Sequence, residues 1–213
     1  MNKKQANFWA PYITLIGDKN FQINGELVKS KFYTGIDASQ AAGDEYTVNS
    51  CIWKYNEYNQ ILEKTVILES DLNKIFGYIV DKNYFDEELI YLHSNYQVQQ
   101  TIKEHWDLII SCWRRQEFNT SSKKRKDNWK KIFALRETIP SLTDQLPDTF
   151  TAYRAGNPDG FSWTLNKEQA IWFHNRFKNQ FGNIPFLQNT FDKKDVVFYT
   201  DGRREQEVVI LTK

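Results

Sequence analysis

The chain has 213 residues, 40% hydrophobic, 26% charged and 15% aromatic. That is a globular balance which excludes a mainly disordered chain, and the length suits one domain, alone or with a substantial extension. A net charge of +1 offers no global electrostatic case for a nucleic-acid or membrane partner. The two cysteines, Cys51 and Cys112, lie far apart, with neither metal-type spacing nor a disulfide framework, which predicts a reducing compartment. No continuous apolar run follows Met1-Asn2-Lys3-Lys4, and no stretch approaches the roughly 18 apolar residues of a membrane span. A cytoplasmic protein without a signal peptide is expected.

In chain order, Ile13-Thr14-Leu15-Ile16 and Phe21-Gln22-Ile23 read as short strands around Gly17 to Asn20, and Asn24-Gly25 as a hairpin turn. Gly35 to Asn49 is small and polar and reads as loop. Ser70-Asp71 caps a predicted helix carrying Leu72, Ile75, Phe76 and Ile79. The strongest helical pattern runs from Gln97 to Phe118, with Ile102, Trp106, Ile109, Ile110 and Trp113 on one face. Another covers about Lys126 to Glu137, burying Trp129, Ile132, Phe133 and Leu135 before Pro140 stops it.

The texture changes near Pro147. Phe150 to Ala155 is a predicted strand, Asn157-Pro158-Asp159-Gly160 a turn, and Phe161 to Leu165 a second strand. Asn166 caps a helix, with Gln169 three residues on and Ala170, Phe173 and Phe177 along one side. Val196 to Tyr199 and Val208 to Leu211 are strands around the loop Thr200 to Arg204. The expected fold class is α+β: a largely helical region 1–146 with a short hairpin, packed on a compact β-sheet core over 147–213.

The candidate site comes from this last segment. Arg154 ends the first strand. Ser162 and Thr164 are i and i+2 on the second and share a face, which sends Trp163 into the core. Glu205 and Glu207, also i and i+2, are expected to point the same way at the start of the last strand, with Arg154 facing the same cleft. Taken singly, each has an ordinary reading as a surface arginine, strand residues or edge-strand charges. Their joint order is the signal.

Tyr153-Arg154-Ala155-Gly156, then Ser162-Trp163-Thr164, then Arg203-Arg204-Glu205-Gln206-Glu207-Val208-Val209-Ile210, resembles the arginine, Ser-x-Thr and Glu-x-Glu pattern of the R-S-E class of ADP-ribosyltransferases, in the form of a compact bacterial or phage member. The resemblance covers about Pro147 to Lys213. It implies a split β-sheet core and NAD as the substrate cofactor, with no metal. A full transferase sandwich has more strands than this segment offers, so some are expected to be missing or to be supplied by the N-terminal half. Glu207 would be the catalytic glutamate on the nicotinamide-ribose hydroxyl, supported by Ser162. Glu205 would address the acceptor. Arg154, Ser162, Thr164 and Tyr199 would line the NAD site, with Phe186, Phe191 or Tyr199 clamping the nicotinamide. The chemistry fits those residue types: a carboxylate stabilises oxocarbenium character, and a guanidinium fork holds a pyrophosphate.

The implied activity is mono-ADP-ribosylation of a macromolecule, a protein side chain by expectation, in the setting of a toxin, effector or phage counter-defence factor. NAD glycohydrolysis and a non-enzymatic interaction module are the alternatives. The basic run Lys123-Lys124-Arg125-Lys126, with Lys130, Lys131, Arg114 and Arg115, is read as a solvated helix surface ahead of a nucleic-acid or acidic-protein contact. Trp106, Trp113 and Trp129 are read as core, Asp86-Glu87-Glu88 as a helix N-terminus, and His174 as structural.

Overall fold

The computed structural model describes residues 3–16, 21–24, 27–36, 45–116 and 119–211. The chain is α+β, and its contacts divide it into two compact units, residues 1–117 and 118–213. Among the described residues no helix is long and apolar enough to cross a membrane.

The first unit opens with α1 (Lys3–Ile16), so the strand expected over Ile13–Ile16 is the end of a helix. Pro11 and the β-branched residues around it disfavour a helix locally, but Trp9 and Tyr12 are fully buried against Val48 and Cys51, and that packing prevails. A meander follows: β1 (Phe21–Asn24), β2 (Leu27–Ser30) and β3 (Tyr33–Ile36). Gly17 to Asn20, Gly25 and residues 37–44 of the expected loop lie outside the described residues. Of the rest of that loop, Gly35 and Ile36 end β3, and from residue 45 it begins α2 (Glu45–Leu62). β4 (Val66–Leu68) pairs in parallel with β5 (Gln97–Gln99), on either side of α3 (Glu69–Tyr78) and α4 (Phe85–Asn95).

Gln97 is therefore strand, and the long helix α5 starts later, at Ile102, and runs to Arg115. Thr101 sets that boundary: its hydroxyl accepts from the Glu104 amide at 3.2 Å while the Glu104 carboxylate accepts from the Thr101 amide at 2.8 Å. Ile102 is exposed, whereas Trp106, Ile109 and Trp113 are buried as expected. The acidic start of α4 does more than complement a dipole. Glu88 is buried, accepts from the Tyr58 hydroxyl at 2.8 Å and pairs with Lys31, whose ammonium sits 4.0 Å from the Tyr58 ring centroid.

The second unit begins with α6 (Lys123–Phe133), which buries Trp129, Ile132 and Phe133 but leaves Leu135 exposed beyond its end. The sheet comprises β6 (Thr149–Ala155), β7 (Ser162–Thr164), β8 (Phe186–Asp192), β9 (Val196–Thr200) and β10 (Glu207–Ile210), in the order β8-β6-β7-β10-β9 with every neighbour antiparallel. All five strands come from 149–210, none from the N-terminal half. The strand absent from the sequence reading is β8, an edge strand whose polar middle, Gln188 to Thr190, breaks the apolar alternation. Helix α7 (Lys167–Phe181) is capped as expected, Asn166 Oδ1 accepting from the Gln169 amide at 3.0 Å.

One face of the sheet buries Phe150, Ala152, Trp163, Val196, Val208 and Ile210 together with Leu146. On the other, Phe133 of α6 packs on Phe198, ring centroids 5.9 Å apart. Leu146 and α6 thus belong with the sheet. Pro147 marks where the strands begin, while the packing unit starts at 118.

Candidate active site

The register of β10 on β7 builds the site. Glu207 lies opposite Thr164, and Val209 opposite Ser162, so these four residues share a face. Ser162 and Glu207 are diagonal neighbours there, and the Ser162 hydroxyl donates to Glu207 Oε1 at 2.5 Å. Trp163 and Val208 take the opposite face, where Trp163 is 5% exposed and meets Phe191 edge-on at 4.9 Å. A bulky residue between two polar ones is accommodated because alternation sends it into the core.

Arg154 reaches this neighbourhood by another route. It pairs with Leu187, so strand alternation places it on the face opposite Tyr153 and Glu207 rather than on their shared face. The guanidinium donates from Nε to the Asn157 carbonyl at 2.7 Å and from Nη1 to the Ser162 carbonyl. It lies against Gly160, where any Cβ would overlap it. Burial lowers its pKa to about 10, and the negative charge of Glu207 acts in the opposite direction. Arginine so placed remains a cation at neutral pH. It ties the Asn157–Gly160 turn to β7 and places positive charge near Glu207.

Thr164 is differently employed from the expected NAD contact. It is 7% exposed; its hydroxyl donates to the Glu205 carbonyl at 2.5 Å and accepts from the Asn166 amide at 3.0 Å. One hydroxyl thus joins the loop before β10 to the start of α7. The Leu165 amide adds a bond to the Gln206 carbonyl at 3.0 Å. These bonds hold an uncommon backbone: Arg204 has φ 58° and Gln206 φ 46°, both in the left-handed region. Such residues cost roughly 1–3 kcal/mol each unless their surroundings impose the conformation.

Glu205 departs from expectation for the same reason. The strand starts at Glu207, Glu205 is helical in φ and ψ, and Gln206 reverses the handedness between them, so the i, i+2 rule does not carry Glu205 onto the face of Glu207. Tyr199 also departs: it lies opposite Val208 and packs on the Trp163 cluster, and Thr200 is the residue across from Glu207.

With this geometry in place, comparison with protein-family models, curated proteins and solved structures found no match for the chain.

The register also sorts the aromatic residues. Phe191 packs with Trp163 on the core face. Tyr153 lies opposite Thr164 and Gln188, so Tyr153, Gln188 and Phe186 share the face of Ser162 and Glu207. Tyr153 and Phe186 have ring centroids 6.2 Å apart, Lys167 sits 6.0 Å from the Tyr153 ring, and His174 meets Phe186 edge-on at 5.9 Å. Phe186 is therefore the one clamp candidate on the carboxylate's face. Gly160, Asn157 and Thr200 read in the sequence only as turn and loop residues, since their parts in the site depend on pairings between distant segments. A hollow of about 620 Å³, lined in part by Thr138, Pro140, Thr149, Asp192 and Val196, lies at the opposite strand ends, away from Glu207.

Proposed function

We propose that the chain is an NAD-dependent mono-ADP-ribosyltransferase acting on a macromolecular acceptor. The observation that carries this reading is the Ser162–Glu207 bond across β7 and β10, with the Arg154 guanidinium bonded to the Ser162 carbonyl. A carboxylate fixed by a hydroxyl is suited to hold a ribose hydroxyl and to stabilise positive charge at the anomeric carbon. The ribose–nicotinamide C–N bond breaks with its electron pair going to the nicotinamide nitrogen, and nicotinamide departs neutral. A lone pair of the acceptor then bonds to the same carbon, and the acceptor proton passes to a carboxylate or water. The guanidinium supplies positive charge suited to the pyrophosphate. Of the three clamp candidates, Phe186 shares the face of Glu207 and is the one assigned to the nicotinamide ring in this reading.

A second reading has a specific observation in its favour. Glu205 precedes the strand that carries Glu207, so strand alternation does not align the two carboxylates as the Glu-x-Glu pattern implies, and water becomes the competing acceptor. Labelled NAD incubated with host lysate tests both, with nicotinamide release and macromolecular label followed together. Glu207→Gln is expected to lower both by about a hundredfold or more. Glu205→Ala is expected to abolish label transfer and spare release. Equal activity of wild type and Glu207→Gln would end the proposal, and release without any label would assign the glycohydrolase.

A further inference from the structure

We propose that the exposed face of α6 is a docking surface for a nucleic-acid phosphate backbone. Residues 118–213 hold sixteen Lys and Arg against eleven Asp and Glu, whereas residues 1–117 hold twelve against sixteen, so the near-neutral total conceals a basic unit and an acidic one. The densest positive charge in the basic unit is α6, with Lys123, Lys124, Arg125, Lys126, Lys130 and Lys131 against the single acid Asp127. Its apolar side is committed inward, with Trp129, Ile132 and Phe133 buried. Lys123, Lys124, Asp127, Lys130 and Lys131 are exposed. Lys123 and Lys130 stand two turns apart on one line, about 10 Å along the axis, with Lys126 between them.

The position of this helix matters as much as its charge. Phe133 packs on Phe198, which lies opposite Val209 and so shares the face of Glu207. Lys126 pairs with Asp159 at 3.7 Å, and Lys130 sits 5.7 Å from the Phe161 ring. Both therefore flank the Asn157–Phe161 turn that Arg154 grips. The positive surface of α6 runs to that turn, next to the Ser162–Glu207 pair.

The chemistry of the face favours nucleic acid over an acidic protein. Protein interfaces are depleted in lysine and are anchored by buried aromatic or aliphatic groups. The outer face of α6 within Lys123–Lys131 offers no apolar anchor, and a phosphodiester backbone needs none, since its affinity comes from cations displacing condensed counterions. Docking there would bring an acceptor carried on, or bound to, nucleic acid to the carboxylate. That consequence rests on the transferase reading, but the docking itself does not.

The test is the full chain titrated with fluorescent oligouridylate, over a range of salt, with polyglutamate of matched length as competitor. Replacing Lys123, Lys130 and Lys131 together by Gln is expected to weaken binding at least about tenfold and to reduce the salt slope by about 2, near 0.7 per lost contact. Replacing the same three by Arg should retain binding, which separates loss of charge from loss of fold. Glu207→Gln should bind as wild type does, so that failure of the chemistry and failure of docking are read separately. Unchanged binding by the Gln variant, or competition by polyglutamate equal to that of oligouridylate, would overturn the proposal.

Discussion

The two units handle charge in contrasting ways. In the first, buried carboxylates are paired with cations: Glu88 with Lys31, which lies over the Tyr58 ring, and Asp71 with Lys64 at 2.6 Å. Burial lowers the Lys31 pKa even against the pull of Glu88. In the second, a half-buried carboxylate is oriented by a serine hydroxyl, and a half-buried guanidinium by two main-chain carbonyls. Charge held by a complementary charge serves mainly to fix the fold, because each partner has already neutralised the other. Charge held by neutral groups keeps its field for something else. On the transferase reading proposed above, the chemistry belongs to the sheet unit.

The largest effect should come from breaking a charge pair in the helical unit. Glu88→Ala leaves the Lys31 ammonium buried beside Tyr58, and a loss of about 3–5 kcal/mol is expected. Urea unfolding followed by probes in each unit would check this; an early transition confined to residues 1–117 supports the contrast, and one shared transition would erase it.

A smaller effect should come from Thr164. Thr164→Val removes the hydroxyl that joins the Glu205 carbonyl to the Asn166 amide, at a cost of about 1–3 kcal/mol. Glu207 accepts from Ser162, and on the proposed reading Thr164 is a positioning residue. The variant should release nicotinamide with a lower kcat at similar KM, and Thr164→Ser should restore it. A variant that loses stability with kcat intact would confine Thr164 to a structural part.

The smallest effect concerns the thiols, which both belong to the helical unit. Burial raises the Cys51 pKa to about 11 and raises that of Cys112 further. At pH 8 both remain protonated and shielded, so a thiol reagent should label the native chain slowly and Glu88→Ala rapidly. Rapid labelling of the native chain would show that this unit opens without help.

How far the sequence revealed this depended on whether the deciding contact was local. The Asn157–Gly160 turn, the Asn166 cap and the alternation of Ser162, Trp163 and Thr164 follow from neighbouring residues, and each stands where expected. The meeting of Ser162 with Glu207 was also legible, because two strands with polar residues at their paired ends bring them together once they align. The last strand starts at Glu207 rather than before it, since left-handed Gln206 is held by bonds from Thr164 and Leu165 and leaves no mark in its own residue type. Tyr199 was misread because its face is set by pairing with Val208. β8 escaped because a polar edge strand needs apolar residues only where its partner covers it, and α1 because its partners lie about forty residues on.

Gly160 has a consequence for inheritance. A side chain at that position would occupy the space of the Arg154 guanidinium. Positions 154 and 160 should therefore vary as a couple in descendants of this chain. A lineage that shortens Arg154 frees position 160 to drift, and one that keeps the guanidinium in this position keeps the glycine. The glycine thus records, in a residue without functional groups, whether a descendant still holds its cation beside Glu207.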